Sequence, residues 1–211
     1  MINEMDELFS QVRTAHRLLA AYYQRLLPTI EQIALEADTE FYFWKPQCFS
    51  APGQSNSNPF KKWQWDLLPA VVTRYVFKNV NELKTVTKGD YILEFIVIND
   101  SGVNDEQCSG QPDALNLKVA VADAKSVLRV AIYRALEDVD AGFYQEWEAG
   151  RYPDYSDGVD IEIDNKFAKY GFEIPLESLM TECGVASIKE TIEHYLAKTK
   201  QVELPAHKSE S

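Results

Sequence analysis

"YILEFIVIND", residues 91–100, is the stretch on which the fold turns. Ile92, Phe95 and Ile98 sit in a nearly continuous apolar run. Such a run belongs in the middle of a sheet with both faces covered, because a strand with one face in water alternates apolar and polar residues. "KGD", 88–90, supplies a turn before it, and "AVVTRYVFKNV", 70–80, reads as the preceding strand.

Further upstream, the aromatic "TEFYFWK", 39–45, is also strand-like. The Pro-, Ser- and Asn-rich segment 46–62 between them is a long loop, of a length that is usually functional or mobile. "WQWDLLP" follows it, and at strand spacing Trp63 and Trp65 share one face. They are candidates for the mouth of a small-molecule site, with the edge of a core as the plainer reading. Downstream, 101–116 is a second long polar loop. "LKVAVAD", 117–123, and "SVLRVAIYRAL", 126–136, read as two more strands, although the Ala-rich run 119–136 also fits one helix.

Residues 3–37 carry one long helical signal. Met5, Leu8, Val12, Ala15, Leu19, Tyr22, Leu26, Ile30, Ile33 and Ala37 recur in steps of three and four, and Phe9, His16, Tyr23, Leu27 and Ala34 widen the stripe. A face this broad predicts a helix lying on a sheet or bundle, with residues 4–27 packed and Leu19 buried. Pro28 lacks an N–H and clashes with the carbonyl of Gln24, which predicts a kink or break and a second short helix from Thr29. Near the other end, "ESLMTECGV" reads as a short helix stopped by Gly184. Ser187 with Glu190 forms a capping box that opens a final helix. The order defines an α+β protein, its mainly antiparallel sheet flanked by a long N-terminal helix and short C-terminal helices. A length of 211 residues fits one domain, placed at 1–200 with 201–211 as a frayed tail.

The net charge of −12 is uneven. Residues 1–100 hold twelve acids and ten bases, and residues 101–211 hold twenty-one acids and eleven bases. Between 137 and 164 ten acids face Arg151 alone. Such a surface repels phosphate and attracts basic partners, so nucleic acid is an unfavourable ligand. Asp138, Asp140, Phe143, Tyr144, Trp147 and Glu148 are the candidate contacts for a basic protein partner; plain solubility is the competing reading. No apolar run approaches the roughly 18 residues that span a membrane. The acidic start "MINEMDELFSQ" is unlike a signal peptide, so the expectation is a cytoplasmic protein. Cys48, Cys108 and Cys183 are odd in number and scattered, which argues against a disulfide framework and predicts buried or half-buried thiols.

Recognisable chemistry is sparse. There is no glycine-rich phosphate loop, no nucleophile elbow, and no zinc spacing among His16, His194 and His207, so neither a cofactor nor a metal is expected. "PDYSDGVDIEIDNK", 153–166, has the form of the PD…(D/E)xK pattern of magnesium-dependent nucleases, which would make Asp154, Asp164 and Lys166 the catalytic set. Against that stands parity. Asp157-Gly158 is a strong hairpin turn, and in that hairpin Asp154 points away from Asp164. The expected arrangement is a surface strand with Asp160, Glu162, Asp164 and Lys166 on its solvated face. A non-catalytic protein acting through protein binding is therefore the first reading, with a nuclease or phosphoesterase and a small-molecule binder as alternatives.

Overall fold

The computed structural model describes residues 2–47, 71–103, 116–164 and 166–204. Six antiparallel strands form one sheet in the order β1-β2-β3-β4-β6-β5. They are β1 (Glu40–Pro46), β2 (Val72–Asn79), β3 (Tyr91–Ile98), β4 (Val127–Ala135), β5 (Glu162–Asp164) and β6 (Phe167–Pro175). Helix α1 (Ile2–Glu36) precedes the sheet, α2 (Phe143–Glu148) lies between β4 and β5, and α3 (Glu182–Thr199) closes the fold. The run that opened the sequence reading is β3. All eight of its residues are buried, as a central strand requires.

One sheet face carries Phe77, Leu93, Phe95, Val97, Leu128, Val130 and Ile132, and packs on the C-terminal part of α1 and on α3. Leu26, Ile30, Ile33 and Ala34 of α1 are sealed there. The helix stops at Asp38, whose left-handed φ of 56° turns the chain while Thr39 donates its hydroxyl to the Ala34 carbonyl at 2.6 Å. The Tyr91 hydroxyl then caps the Ala37 carbonyl at 2.7 Å. Arg134 bridges strand and helix on this face, donating to Thr199 at 3.0 Å and to the Gly89 carbonyl at 2.7 Å.

Several local expectations are corrected. Pro28 lies inside one continuous helix, and no second helix begins at Thr29. The stretch 117–123 forms turns rather than a strand, and Val121 points into solvent. The C-terminal helix starts at Thr181, whose hydroxyl accepts the Gly184 N–H at 3.1 Å, rather than at Ser187. Gly184 is needed for closeness, not as a stop, since a Cβ there would sit on the Ser178 carbonyl. Cys183 is exposed; Cys48 and Cys108 lie outside the described residues. The largest difference concerns α1. Residues 5–21 are all exposed, so the helix packs through its second half, and Leu19 is 45% exposed.

Candidate functional site

The second sheet face holds charge at its centre. Arg74 of β2 and Glu94 of β3 are buried there, with Arg74 Nε 2.6 Å from Glu94 Oε1 but without an aligned hydrogen bond. Arg74 also reaches Glu148 at the end of α2 at 2.7 Å, and its guanidinium stacks 4.9 Å from the Trp147 ring. Burial pushes the Glu94 carboxyl up to about 7, with Arg74 pulling the other way. Burial also works against the charge on Arg74, but Glu94, Tyr152 and Glu148 outweigh it and hold its pKa above the ordinary value.

A strap, residues 150–161, crosses this face. Its anchor is Lys169, a buried cation on β6 that meets Asp164 at 3.1 Å, Glu162 at 3.5 Å and the Arg151 carbonyl at 3.2 Å. Glu94, Ala131 and Gly171 are cross-strand neighbours, and the two small residues leave a furrow beside the carboxylate. The strap fills it: a Cβ on Gly171 would stand 2.7 Å from Pro153 and 2.9 Å from Tyr155. Arg129 packs 5.1 Å from the Tyr155 ring and pairs with Glu173 at 2.7 Å. The Tyr155 hydroxyl is buried near Tyr133 and Glu94 without an aligned hydrogen bond, and burial pushes its pKa well up. Beside the strap opens a cleft of about 570 Å³, lined by Gln47, Ile96, Arg129, Tyr152, Asp154, Tyr155 and Glu173.

This geometry redistributes the residues singled out from sequence. Phe143 and Trp147 are core residues under the second face. Tyr144 is exposed and Glu148 is taken by Arg74 and Lys45. Asp138 accepts the Lys88 N–H at 2.6 Å, and Asp140 is exposed. Glu146 pairs with Lys166 at 3.6 Å and Asp160 with Lys198 at 3.3 Å. Much of the acidic stretch is thus neutralised within the chain. Trp63 and Trp65 lie outside the described residues.

The nuclease-like residues have separate duties. The Asp154 carboxylate accepts the Ser156 N–H at 2.8 Å, and hydrogen bonding to the Ser156 side chain, then to this N–H, holds its pKa down. The Asp164 carboxylate accepts the Arg151 N–H at 2.9 Å and pairs with Lys169, not Lys166. Gly158 does turn the chain, at a φ of 80°, but the hairpin lies elsewhere: Asp164 pairs with Phe167. The expected parity of β5 is correct and its direction is reversed. Glu162 and Asp164 face inward to Lys169, and Ile163 is the residue in solvent. Arg74, Glu94 and Lys169 escaped the sequence reading. Their signal was a charge within a largely apolar strand, alone in β3 but accompanied by Lys78 in β2 and by Glu173 in β6.

The other unusual surface is α1 itself. Met5, Leu8, Phe9, Val12 and Leu19 are all more than two-fifths exposed, on the same stripe that Leu26, Ile30 and Ile33 continue into the core. Where the helix meets the body, an apolar groove of about 540 Å³ opens between Tyr23, Leu27 and Pro28 of α1 and Phe41, Trp44 and Tyr75 of the sheet. Phe41 and Trp44 on β1 are about half exposed. Exposed apolar strips of this kind are, in general, characteristic of interaction surfaces.

An α+β protein with one antiparallel sheet, a strapped polar face and a projecting amphipathic helix is the class these features define. The chain belongs to the PM0109 family, whose model matches residues 2–201. No curated protein and no solved structure matches it. No helix among the described residues is long and apolar enough to cross a membrane.

Proposed function

We propose that this is a non-catalytic protein that works by association, and that its docking element is the N-terminal half of α1 rather than the acidic stretch 137–164. The observation behind the reading is the bare stripe from Met5 to Leu19. Most helical stability in proteins comes from packing an amphipathic face, so a projecting half-helix with six large apolar side chains in water, five of them on one stripe, is completed by a partner. The partner's chemistry follows from the stripe: an amphipathic helix with its own apolar seam, laid along α1 toward the groove at Leu27 and Trp44.

Hydrogen exchange tests the reading. The amides of residues 2–21 are to be followed in the full chain and in a Leu8→Glu, Leu19→Glu chain, each with and without excess of a synthetic three-heptad helix carrying Leu at a and d. Glutamate keeps nearly the helix propensity of leucine, so the substitutions remove the seam and not the helix. The expected result is exchange at least tenfold slower in the native sequence, alone or with the probe. Equally fast exchange in both chains, with and without the probe, overturns the docking role.

A second reading rests on the buried Tyr155 hydroxyl beside the 570 Å³ cleft. A cleft of that size accommodates a small polar ligand, which would use Tyr155 and Arg129. Tyr155→Phe would then weaken ligand-dependent thermal stabilisation in a metabolite screen without lowering the stability of the free protein.

A further inference from the structure

We propose that the bare stripe of α1 is covered by the same stripe of a second copy, the two helices running antiparallel. This rests on the docking role of α1 argued above and names its partner. Charge gives the first argument. Glu4, Asp6 and Glu7 make the start of the helix acidic, and from Leu8 to Ile30 there is no acid, while Arg13, Arg17 and Arg25 add positive charge. The side chains of Asp6, Glu7, Arg13, Arg17 and Arg25 are all exposed. A parallel pair sets acid on acid and base on base. An antiparallel pair sets each acidic start alongside residues 20–23 of the other copy, between Arg17 and Arg25, which is the arrangement that charge complementarity selects.

The apolar spacing gives the second argument. Met5, Val12 and Leu19 recur every seven residues, with Leu8, Ala15 and Tyr22 between them, the a/d pattern of a two-helix seam. Antiparallel pairing brings Leu8 opposite Leu19 and Val12 opposite Ala15 in the second copy, with Met5 opposite Tyr22. The inner four positions are thereby matched within the exposed half, and Met5 meets the half-buried Tyr22 where the helix reaches the body. The third argument is where the seam ends. In this register Ile2, the first residue of the helix, falls opposite Arg25, next to the groove along Leu27 and Phe41. The exposed run 5–21 is about 26 Å long, at 1.5 Å per residue, so the seam spans several helical turns.

The mass of the full chain in sedimentation equilibrium, across the micromolar range, is the first readout. The expected result is a dimer that becomes monomeric with Leu8→Glu and Leu19→Glu, while the melting temperature in dilute solution, where both chains are monomeric, is unchanged. Direction is read from charge. Asp6→Lys with Glu7→Lys should weaken the dimer at least tenfold at low salt, and adding Arg17→Glu and Arg25→Glu to the same chain should restore it. A parallel pair would be indifferent to both changes. A monomeric native chain overturns the second copy; if the probe helix still protects residues 2–21, the docking role stands without it, and if it does not, both fall. A dimer that survives Leu8→Glu with Leu19→Glu also overturns the proposal, because association then lies elsewhere.

Discussion

Arg74 Nε stands 2.6 Å from Glu94 Oε1, and both side chains are buried on neighbouring central strands. A buried ion pair gains little over apolar side chains of the same volume, because desolvation consumes the Coulomb attraction. The pair is nevertheless the hub of the second face. It joins β2 and β3 to α2 through Glu148, and it lies beneath the strap that Tyr155 seats.

The Glu94 carboxyl predicts an unusual pH dependence. Burial holds it near 7 when folded, against roughly 4.3 in an unfolded chain. Between those values the folded state binds more protons than the unfolded one, so stability falls as pH rises, by up to about 4 kcal/mol, and levels off above 7. Asp164 and Asp160, whose pKa values are lowered, act in the opposite direction at more acidic pH. Urea unfolding at intervals from pH 5 to 8 measures the slope, and Glu94→Gln should flatten it. An unchanged slope in that variant would mean that Glu94 ionises at its ordinary value.

Lys169 predicts a local failure. Removing its charge by Lys169→Met leaves Asp164 and Glu162 facing the sheet without a cation and frees the Arg151 carbonyl. Because both carboxylates retain partial access to water, the cost is about 1–3 kcal/mol, the range for charged hydrogen bonds. The strap should loosen first, so trypsin should cut after Arg151 faster than after the arginines of the sheet. Equal rates of cleavage after Arg151 in the native chain and in the Lys169→Met variant would show that packing alone holds the strap.

What was legible in the sequence follows from which signals are local. The 91–98 run fixed its own place, because eight apolar-dominated residues suit only a strand covered on both sides. Helical periodicity identified the face of α1 correctly but not how far the body extends beneath it. Leu19 and Leu26 are one heptad apart on one stripe; one is in water and the other is sealed. The direction of β5 was hidden for a different reason. Glu162 and Asp164 look like a solvated face until Lys169 from the neighbouring strand is paired with them, and that pairing is a tertiary fact. Asp157-Gly158 is a turn by its own chemistry, but it does not pair the strands on either side. In the acidic stretch, aromatic residues and acids were read as one surface, whereas the short helix turns Phe143 and Trp147 inward.

Gly171 predicts the tightness of the strap. Gly171→Ala places a methyl group 2.7 Å from Pro153 Cγ, and overpacking of this kind costs about 1–3 kcal/mol. The strain should be released by lifting the strap, so Tyr155 should become accessible to tetranitromethane while the sheet keeps its circular dichroism. Unaltered reactivity would indicate that the strap can shift without exposing the ring.

The two leucines of the α1 stripe separate packing from association. Leu26 is fully buried against the sheet, so Leu26→Ala should destabilise the fold by about 2–5 kcal/mol at any protein concentration. Leu19 sits on the same stripe but lies outside the core of the single chain. Leu19→Ala should leave the unfolding free energy of a dilute sample within about 0.5 kcal/mol of the native value, as for other surface positions. Its effect should appear only on concentrating the protein, when the native chain gains melting temperature by mass action and the variant gains less. Parallel thermal melts over a wide concentration range make the comparison. A large loss for Leu19→Ala in dilute solution would place that residue in the core of the single chain and remove the docking face; equal concentration dependence in both chains would take Leu19 out of the seam.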